Sequence, residues 1–506
     1  MFKKEKIMTL ENAKKALENL MRENYAYHHA IGLISYDAVT SAPSEAARAR
    51  EIPLELFSTK QYKLMTSKRT AALLDFLEEH QTELDKRTAR CVYLLQKDRK
   101  ETEKIPMKEN VAYSLLLNDA DAAWHEAKEK SNFSIFLPYL ERIFATCKRF
   151  SGYIDPNKDP YEVWLDKFEG GLTREKCDAF FAYLRRELVP LIRRVQQAKQ
   201  PEDAFLRQCY PKEGQRELSE YLMSLIGIDG THCTLRETEH PFTTDFTKLD
   251  VRITTHYYEN APLSALYSTV HEGGHALYEL HTDDAYLATP VGTGVSMAVH
   301  ESQSRFYENI LGRSLPFCRR ILPEMKRIFP QQLKNVTADM LWRAVNKSEP
   351  SLIRTEADEL TYPLHIMIRY ELEKAIFDGK LEVRDLPDAW NRLYREYLGV
   401  TPDCDRNGVL QDSHWSGGSI GYFPSYALGS AYGAQLLRRM KETVDVNNCI
   451  EQGNFTPINS WLCDRIWQYG SLRDPVETFE RAAGEPLDPS VYISYLTEKY
   501  TEVYDL

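Results

Sequence analysis

The stretch that most constrains this chain is Pro262–His281, with His271-Glu272-Gly273-Gly274-His275 at its centre. Around it Leu263, Leu266, Tyr267, Val270, Leu277 and Tyr278 recur at spacings of three and four, which predicts an amphipathic helix. Pro262 suits the first helical turn, where its missing N–H has no partner to lose. Residues four apart project from one face, so His271 and His275 can hold one metal ion between two imidazoles. Glu272 then stands beside that ion, close enough to reach a bound water without being a ligand. This is the H-E-x-x-H arrangement of zinc hydrolases, with the glutamate as general base. With 13 histidines in 506 residues, a chance pair on a helix surface is the alternative. The adjacent glycines argue against a plain structural helix, since each costs about 1 kcal/mol relative to alanine there. Either a close-lying substrate or tight helix packing needs the space.

A catalytic zinc takes three protein ligands and leaves its fourth position to water. After the Gly- and Pro-bearing loop Thr289–Gly294, a second helix is predicted from Met297 to Leu311, ending at the cap residue Gly312. It carries His300-Glu301-Ser302-Gln303, and Glu301 is the expected third ligand. His300 is the rival, but helix neighbours point about 100° apart, so only one of the two faces the metal. Upstream, His232–Thr238 and Asp250–Tyr257 alternate with period two and read as short strands, with His240-Pro241-Phe242-Thr243-Thr244 between them. An edge of that small sheet would align an extended peptide next to the metal helix.

The remainder is mostly helical in pattern. Thr9 to about Ile34 shows one apolar stripe, and the charged segments to Phe150 continue the theme. The run Asp155–Gly171 is punctuated by Asp-Pro pairs and Gly170-Gly171, as a loop would be. Thr355 is placed as the N-cap of a helix running to Phe377, kinked at Pro363 and closed by Gly379. Gly417–Tyr432 is the least helix-like part of the second half. A length of 506 residues allows two to four domains, but no repeat or low-complexity linker divides the chain. The expectation is therefore one unit over 1–506, with a helical N-terminal lobe (1–220) and a metal-bearing part (221–506).

Composition is that of a soluble globular protein, 43% apolar and 27% charged, and a net charge of −11 discourages nucleic acid or anionic membrane as partners. No window approaches a membrane span. Met1-Phe-Lys-Lys-Glu-Lys runs into polar sequence without an apolar core, so no signal peptide is expected. Nine scattered cysteines, an odd count with no C-x-x-C, fit reduced thiols in a cytoplasm.

Six segments in order, His240-Pro-Phe, Asp250-x-Arg252-x-Thr254, His271-Glu-x-x-His275, His300-Glu-Ser, Ile353-Arg-Thr-Glu-Ala-Asp358 and Gly408-x-x-Gln-Asp-x-His-Trp415, resemble the M32 (carboxypeptidase Taq) metallocarboxypeptidases. Weaker likeness reaches the N-terminal lobe, where Tyr36-Asp37 stands in place of the family's Trp-Asp. The resemblance implies a mainly α-helical fold with a long groove, a small sheet flanking the metal, and a homodimer. It also implies removal of single C-terminal residues with broad tolerance, using Zn²⁺ that Co²⁺ can replace. An exopeptidase must hold a free carboxylate, which a planar guanidinium does with two parallel bonds. Arg354, set just before the expected Thr355 cap, is the first candidate, Arg252 the second, and His240 a further substrate-binding residue. Arg354 has a local ion pair with Glu356 or Asp358 as its structural alternative, and Arg252 has Asp250. For the charge that grows on the substrate carbonyl oxygen, Tyr422 and His414 are the candidate donors. A dipeptidyl carboxypeptidase and a binding protein with a structural metal are the competing functions; Glu272 speaks against the second, since a structural site has no use for a base.

Overall fold

The computed structural model describes residues 9–506, so the sequence expectation about Met1–Lys6 lies outside the described residues. Among these, twenty α-helices and three short strands follow one another, with all three strands falling between Cys233 and Thr255. The mainly helical architecture with one small sheet is therefore as the sequence predicts. The first helix runs longer than its apolar stripe suggests, Leu10–Thr40, with Thr9 accepting from the Asn12 N–H as N-cap. It covers a small core of its own, which includes Ala13, Leu17, Leu20, Leu74 and Val92. A much larger core extends from Leu116 to Tyr504 and surrounds the HEGGH helix.

The sheet has the order β1 (Cys233–Glu237), β3 (Asp250–Thr255), β2 (Thr243–Thr247), with β1 parallel and β2 antiparallel to β3. Sequence pattern found β1 and β3 but left 243–247 between them unassigned. Its Thr-Thr-Asp-Phe-Thr run carries the β-branched signal weakly, and pairing with Val251–Ile253 completes it.

Three further differences bear on the site. The segment Asp155–Gly171 is not wholly loop: Pro160–Phe168 is a helix, with Asp159 capping it and Pro160 in its first turn. The helix expected from Thr355 begins instead at Tyr362 and runs to Phe377, so Pro363 lies in its first turn and introduces no kink. Arg354–Glu356 is a separate single 3-10 turn, and Asp358 rather than Thr355 binds N–H groups there, those of Leu360 and Thr361 just ahead of the helix. Finally, helix Pro424–Met440 occupies much of the glycine-rich stretch. Its Gly429 is a packing residue, for a Cβ there would stand 2.7 Å from the Glu301 Cβ.

Candidate metal centre

The HEGGH helix spans Pro262–Leu280 and the following helix Met297–Arg305, which continues as a wide π-helical turn, Phe306–Leu311, up to Gly312. They pack through Gly274, while Gly273 faces the end of the earlier helix Lys212–Ile226. A Cβ on Gly274 would meet the Gln303 carbonyl oxygen at 2.6 Å, and one on Gly273 would meet the Ile226 side chain at 2.5 Å. Tight packing, rather than a substrate, is what fills the space beside these two residues.

That contact brings His271, His275 and Glu301 together, with one donor atom from each lying within 4.8 Å of the others. Glu301 Oε2 is 3.4 Å from His275 Nε2 and 3.8 Å from His271 Nε2. The other nitrogen of each ring is already engaged. His271 Nδ1 donates to Glu308 Oε2 at 2.8 Å. His275 Nδ1 pairs with His300 Nδ1 at 2.6 Å, and His300 Nε2 reaches Glu279 Oε1 at 2.7 Å. His300, the rival ligand, thus stands behind His275 and supports it. With Nδ1 occupied in both rings, the two Nε2 lone pairs turn toward Glu301, the orientation that a metal-binding histidine needs. Two imidazoles and one carboxylate, with nothing else from the protein in the set, is a donor group that fits a catalytic divalent metal.

The surroundings keep Glu301 and His275 in binding form, while burial of His271 is outweighed by Glu301 and Glu308, which raise it above its ordinary value. Burial would raise the Glu301 carboxyl, but Arg305, His271 and His275 more than offset this and hold it well below its ordinary value. Arg305 Nε donates to Glu301 Oε1 at 2.7 Å and its Nη1 to Glu308 at 3.1 Å, so one guanidinium serves both acids. Burial pushes His275 down to about 3, which keeps it neutral. Glu272 is buried, and desolvation raises its carboxyl against the pull of His271 and of Thr243, whose hydroxyl donates to Glu272 Oε2 at 2.6 Å.

The remaining predicted residues sit apart from the ligands. Arg354 is buried; its Nε donates to Asp412 at 2.8 Å and its Nη1 to the Tyr362 hydroxyl at 3.1 Å. Its ion pair is thus with Asp412, far along the chain, instead of Glu356 or Asp358. The expected helix N-terminus beside it is absent, since the turn there is three residues long. Arg369 binds the other Asp412 oxygen, at 2.6 Å through Nε, so two guanidiniums share one carboxylate. His414 is driven down to about 3 by burial and by Arg354; its Nε2 meets the Tyr426 hydroxyl at 3.1 Å, while Nδ1 is buried without a partner among the described residues. Tyr422 packs 5.5 Å from the His414 ring, and burial together with Glu301 pushes its phenol up to about 12, so it stays a donor. Arg252 is held by Asp250 at 2.8 and 2.7 Å, between the rings of Tyr36 and Phe246, and His240 lies exposed on the turn between β1 and β2. Arg305 links the two groups, for its guanidinium lies 4.2 Å from the Tyr362 ring.

The residues that orient the two histidines and Glu301 were not assigned from the sequence. Glu279 lies four residues after His275 on the same helix face, while Glu308 stands on the neighbouring helix from its partner His271, so no spacing points to it. Arg305, four residues after its partner Glu301, carried the same signal as Glu279, whereas Asp412 and Thr243 carried none.

An H-E-x-x-H helix joined to a glutamate on the next helix, within a mainly helical fold, defines the class as metal-dependent hydrolases. The Carboxypeptidase Taq (M32) metallopeptidase family profile matches residues 16–500, and the chain belongs to that family. Carboxypeptidase 1 of Bacillus subtilis (strain 168) is 41% identical over 499 residues, which cover 98% of this chain and 100% of the relative. Thermostable carboxypeptidase 1 of Thermus thermophilus is 36% identical over 511 residues, with 98% and 100% covered. The crystal structure of the M32 carboxypeptidase from Deinococcus radiodurans R1 superposes with a TM-score of 0.95 at 35% identity, over 98% of this chain and 100% of that one. The protein is thus a metallocarboxypeptidase-family hydrolase acting on peptides. Among the described residues no helix is long and apolar enough to cross a membrane.

Proposed function

We propose that this protein removes single C-terminal amino acids from peptides, with one Zn²⁺ held by His271, His275 and Glu301. The observation that carries the proposal is the convergence of those three donor atoms within 4.8 Å. A divalent ion bound there would supply Lewis acidity to the scissile carbonyl and acidify a water. Glu272 takes the proton from that water at its carboxylate and passes it to the departing amine; burial raises its carboxyl above its ordinary value, which favours the return of the proton.

Arg354 anchors the free carboxylate of the substrate. Its Nε and Nη1 are engaged, which leaves Nη2 without a protein partner among the described residues. Arg354 and Arg369 together face one Asp412 carboxylate, so this buried cluster carries one positive charge in excess, which a substrate carboxylate would balance. Arg252, already neutralised by Asp250, we assign to bracing the sheet, and His240 keeps at most an outer contact with substrate. Tyr422 donates to the carbonyl oxygen as charge grows there, with the unpartnered His414 Nδ1 as the alternative donor.

The resemblance to the family further supports one peptidase unit over 1–506, a homodimer, broad tolerance for the C-terminal residue and exchange of Zn²⁺ for Co²⁺. The nine unpaired cysteines support a cytoplasmic location. The test is to incubate metal-loaded protein with an N-blocked peptide bearing a free carboxylate. Amino acids should leave one at a time, and the C-terminally amidated peptide should resist. Release of dipeptides would favour the dipeptidyl reading, and no cleavage despite bound metal would favour a structural site.

A further inference from the structure

We infer that Glu373 is a positioning residue that fixes the place of Tyr422; its catalytic consequence rests on Tyr422 being the oxyanion donor proposed above. Glu373 is fully buried on helix Tyr362–Phe377. Its Oε1 accepts from the Trp415 indole at 2.8 Å. Its Oε2 accepts from the Tyr161 hydroxyl at 2.7 Å and from the Gly421 N–H at 2.9 Å. Burial pushes this carboxyl up to about 7 while the three donors oppose the shift. One carboxylate thereby ties three segments together: the short helix Pro160–Phe168, and both ends of the arch from Trp415 to Gly421.

Gly421 is the residue directly before Tyr422. Its φ is +82°, and a Cβ there would stand 2.7 Å from the Trp164 carbonyl carbon and 2.9 Å from the Leu165 nitrogen. The arch therefore presses its backbone onto the same short helix that supplies Tyr161. On the other side of Tyr422 the chain enters helix Pro424–Met440. Its ring is flanked by Phe168 and Tyr426, each with centroids 5.0 Å away. With its backbone held at Gly421 and Pro424, Tyr422 has one position, and Glu373 supplies the bond that holds the Gly421 end. Glu373 has no path to substrate of its own, since every hydrogen bond it makes is to the protein interior.

Glutamine at 373 preserves volume but breaks the tie. The indole and the backbone amide can only donate, so the amide NH₂ meets a donor whichever way it turns. In the full-length metal-loaded enzyme, Tyr422→Phe should lower kcat about 100-fold. Glu373→Gln should lower kcat about 10-fold with KM and metal content unchanged, and the double variant should lose no more than Tyr422→Phe alone. Tyr161→Phe, which removes a single bond and keeps the ring, should give a smaller loss of the same kind, and it carries the test if Glu373→Gln does not fold. Independently of activity, 3-fluorotyrosine at position 422 should give one ¹⁹F resonance in the metal-free protein and a shifted or divided one after Glu373→Gln. An unchanged ¹⁹F spectrum, or losses that multiply in the double variant, would overturn the inference. Full turnover by Tyr422→Phe with a changed ¹⁹F spectrum would remove the oxyanion role and leave the positioning in place.

Discussion

The site has two halves that are built in different ways. The candidate metal half consists of two α-helices, the second ending in a π-helical turn, and its three donor residues lie where helical spacing puts them. Each then gains a partner from these helices: Glu308 for His271, His300 backed by Glu279 for His275, and Arg305 for Glu301. The half proposed to hold substrate, Arg354 with the segment Gln411–Tyr422 that contains the arch, has little regular structure. Its side chains are held by knots between distant segments, with Asp412 between Arg354 and Arg369, and Glu373 among Tyr161, Trp415 and Gly421. A helix orders its side chains through its own period, whereas an irregular arch needs buried polar ties to hold one shape. Damage to the first half should therefore show in metal binding or chemistry, and damage to the second in substrate handling with the metal retained.

The largest expected effect tests whether the base belongs to the metal half alone. Glu272→Gln should reduce kcat by about 10³-fold while metal content, measured by elemental analysis, stays at one per chain. More than about a tenth of wild-type turnover would place the base elsewhere. Next in size, Arg354→Ala should lower kcat/KM on free-carboxylate peptides by about 100-fold, chiefly through KM, and leave amidated peptides little affected. Equal loss on both substrates, or loss of metal, would join the two halves that the comparison separates. Smaller again, Glu308→Gln should weaken metal affinity about tenfold in a chelator competition and leave KM unchanged.

The smallest effect concerns stability of the metal-free protein. Burial opposes ionisation of Glu308, but Arg305, His271 and Arg313 outweigh it and hold the carboxyl at about 2, below its ordinary 4.5. A depressed carboxyl stabilises the fold by up to about 3 kcal/mol, fully above pH ~4.5 and progressively less as pH falls toward ~2. Urea unfolding between pH 4.5 and 3 should show a shallower decline for Glu308→Gln than for wild type. Equal slopes would mean that the carboxylate gains nothing from its cationic neighbours.

The sequence by itself determined the helical class, the HEGGH helix with its two histidines, the helix bearing Glu301, and two of the three strands. It did so because the hydrophobic period and the i, i+4 spacing are local properties that packing had no reason to overrule. It also offered two uses for Gly273 and Gly274 without separating them, since a glycine records only that room is needed. Tertiary structure made that choice, placing Gln303 and Ile226 in the room. The same holds for Gly429, which lies inside the stretch Gly417–Tyr432 that read as least helix-like and is the point where helix Pro424–Met440 meets Glu301. Tertiary structure alone turned His300 from a rival ligand into the support of His275. It alone moved the helix start from Thr355 to Tyr362, and it gave Arg354 the partner Asp412, where proximity in sequence suggested Glu356 or Asp358. The physical reason is common to all of these. A side chain's partner is set by which surfaces the fold brings into contact, and contacts between residues far apart in the chain leave no period in the sequence to reveal them.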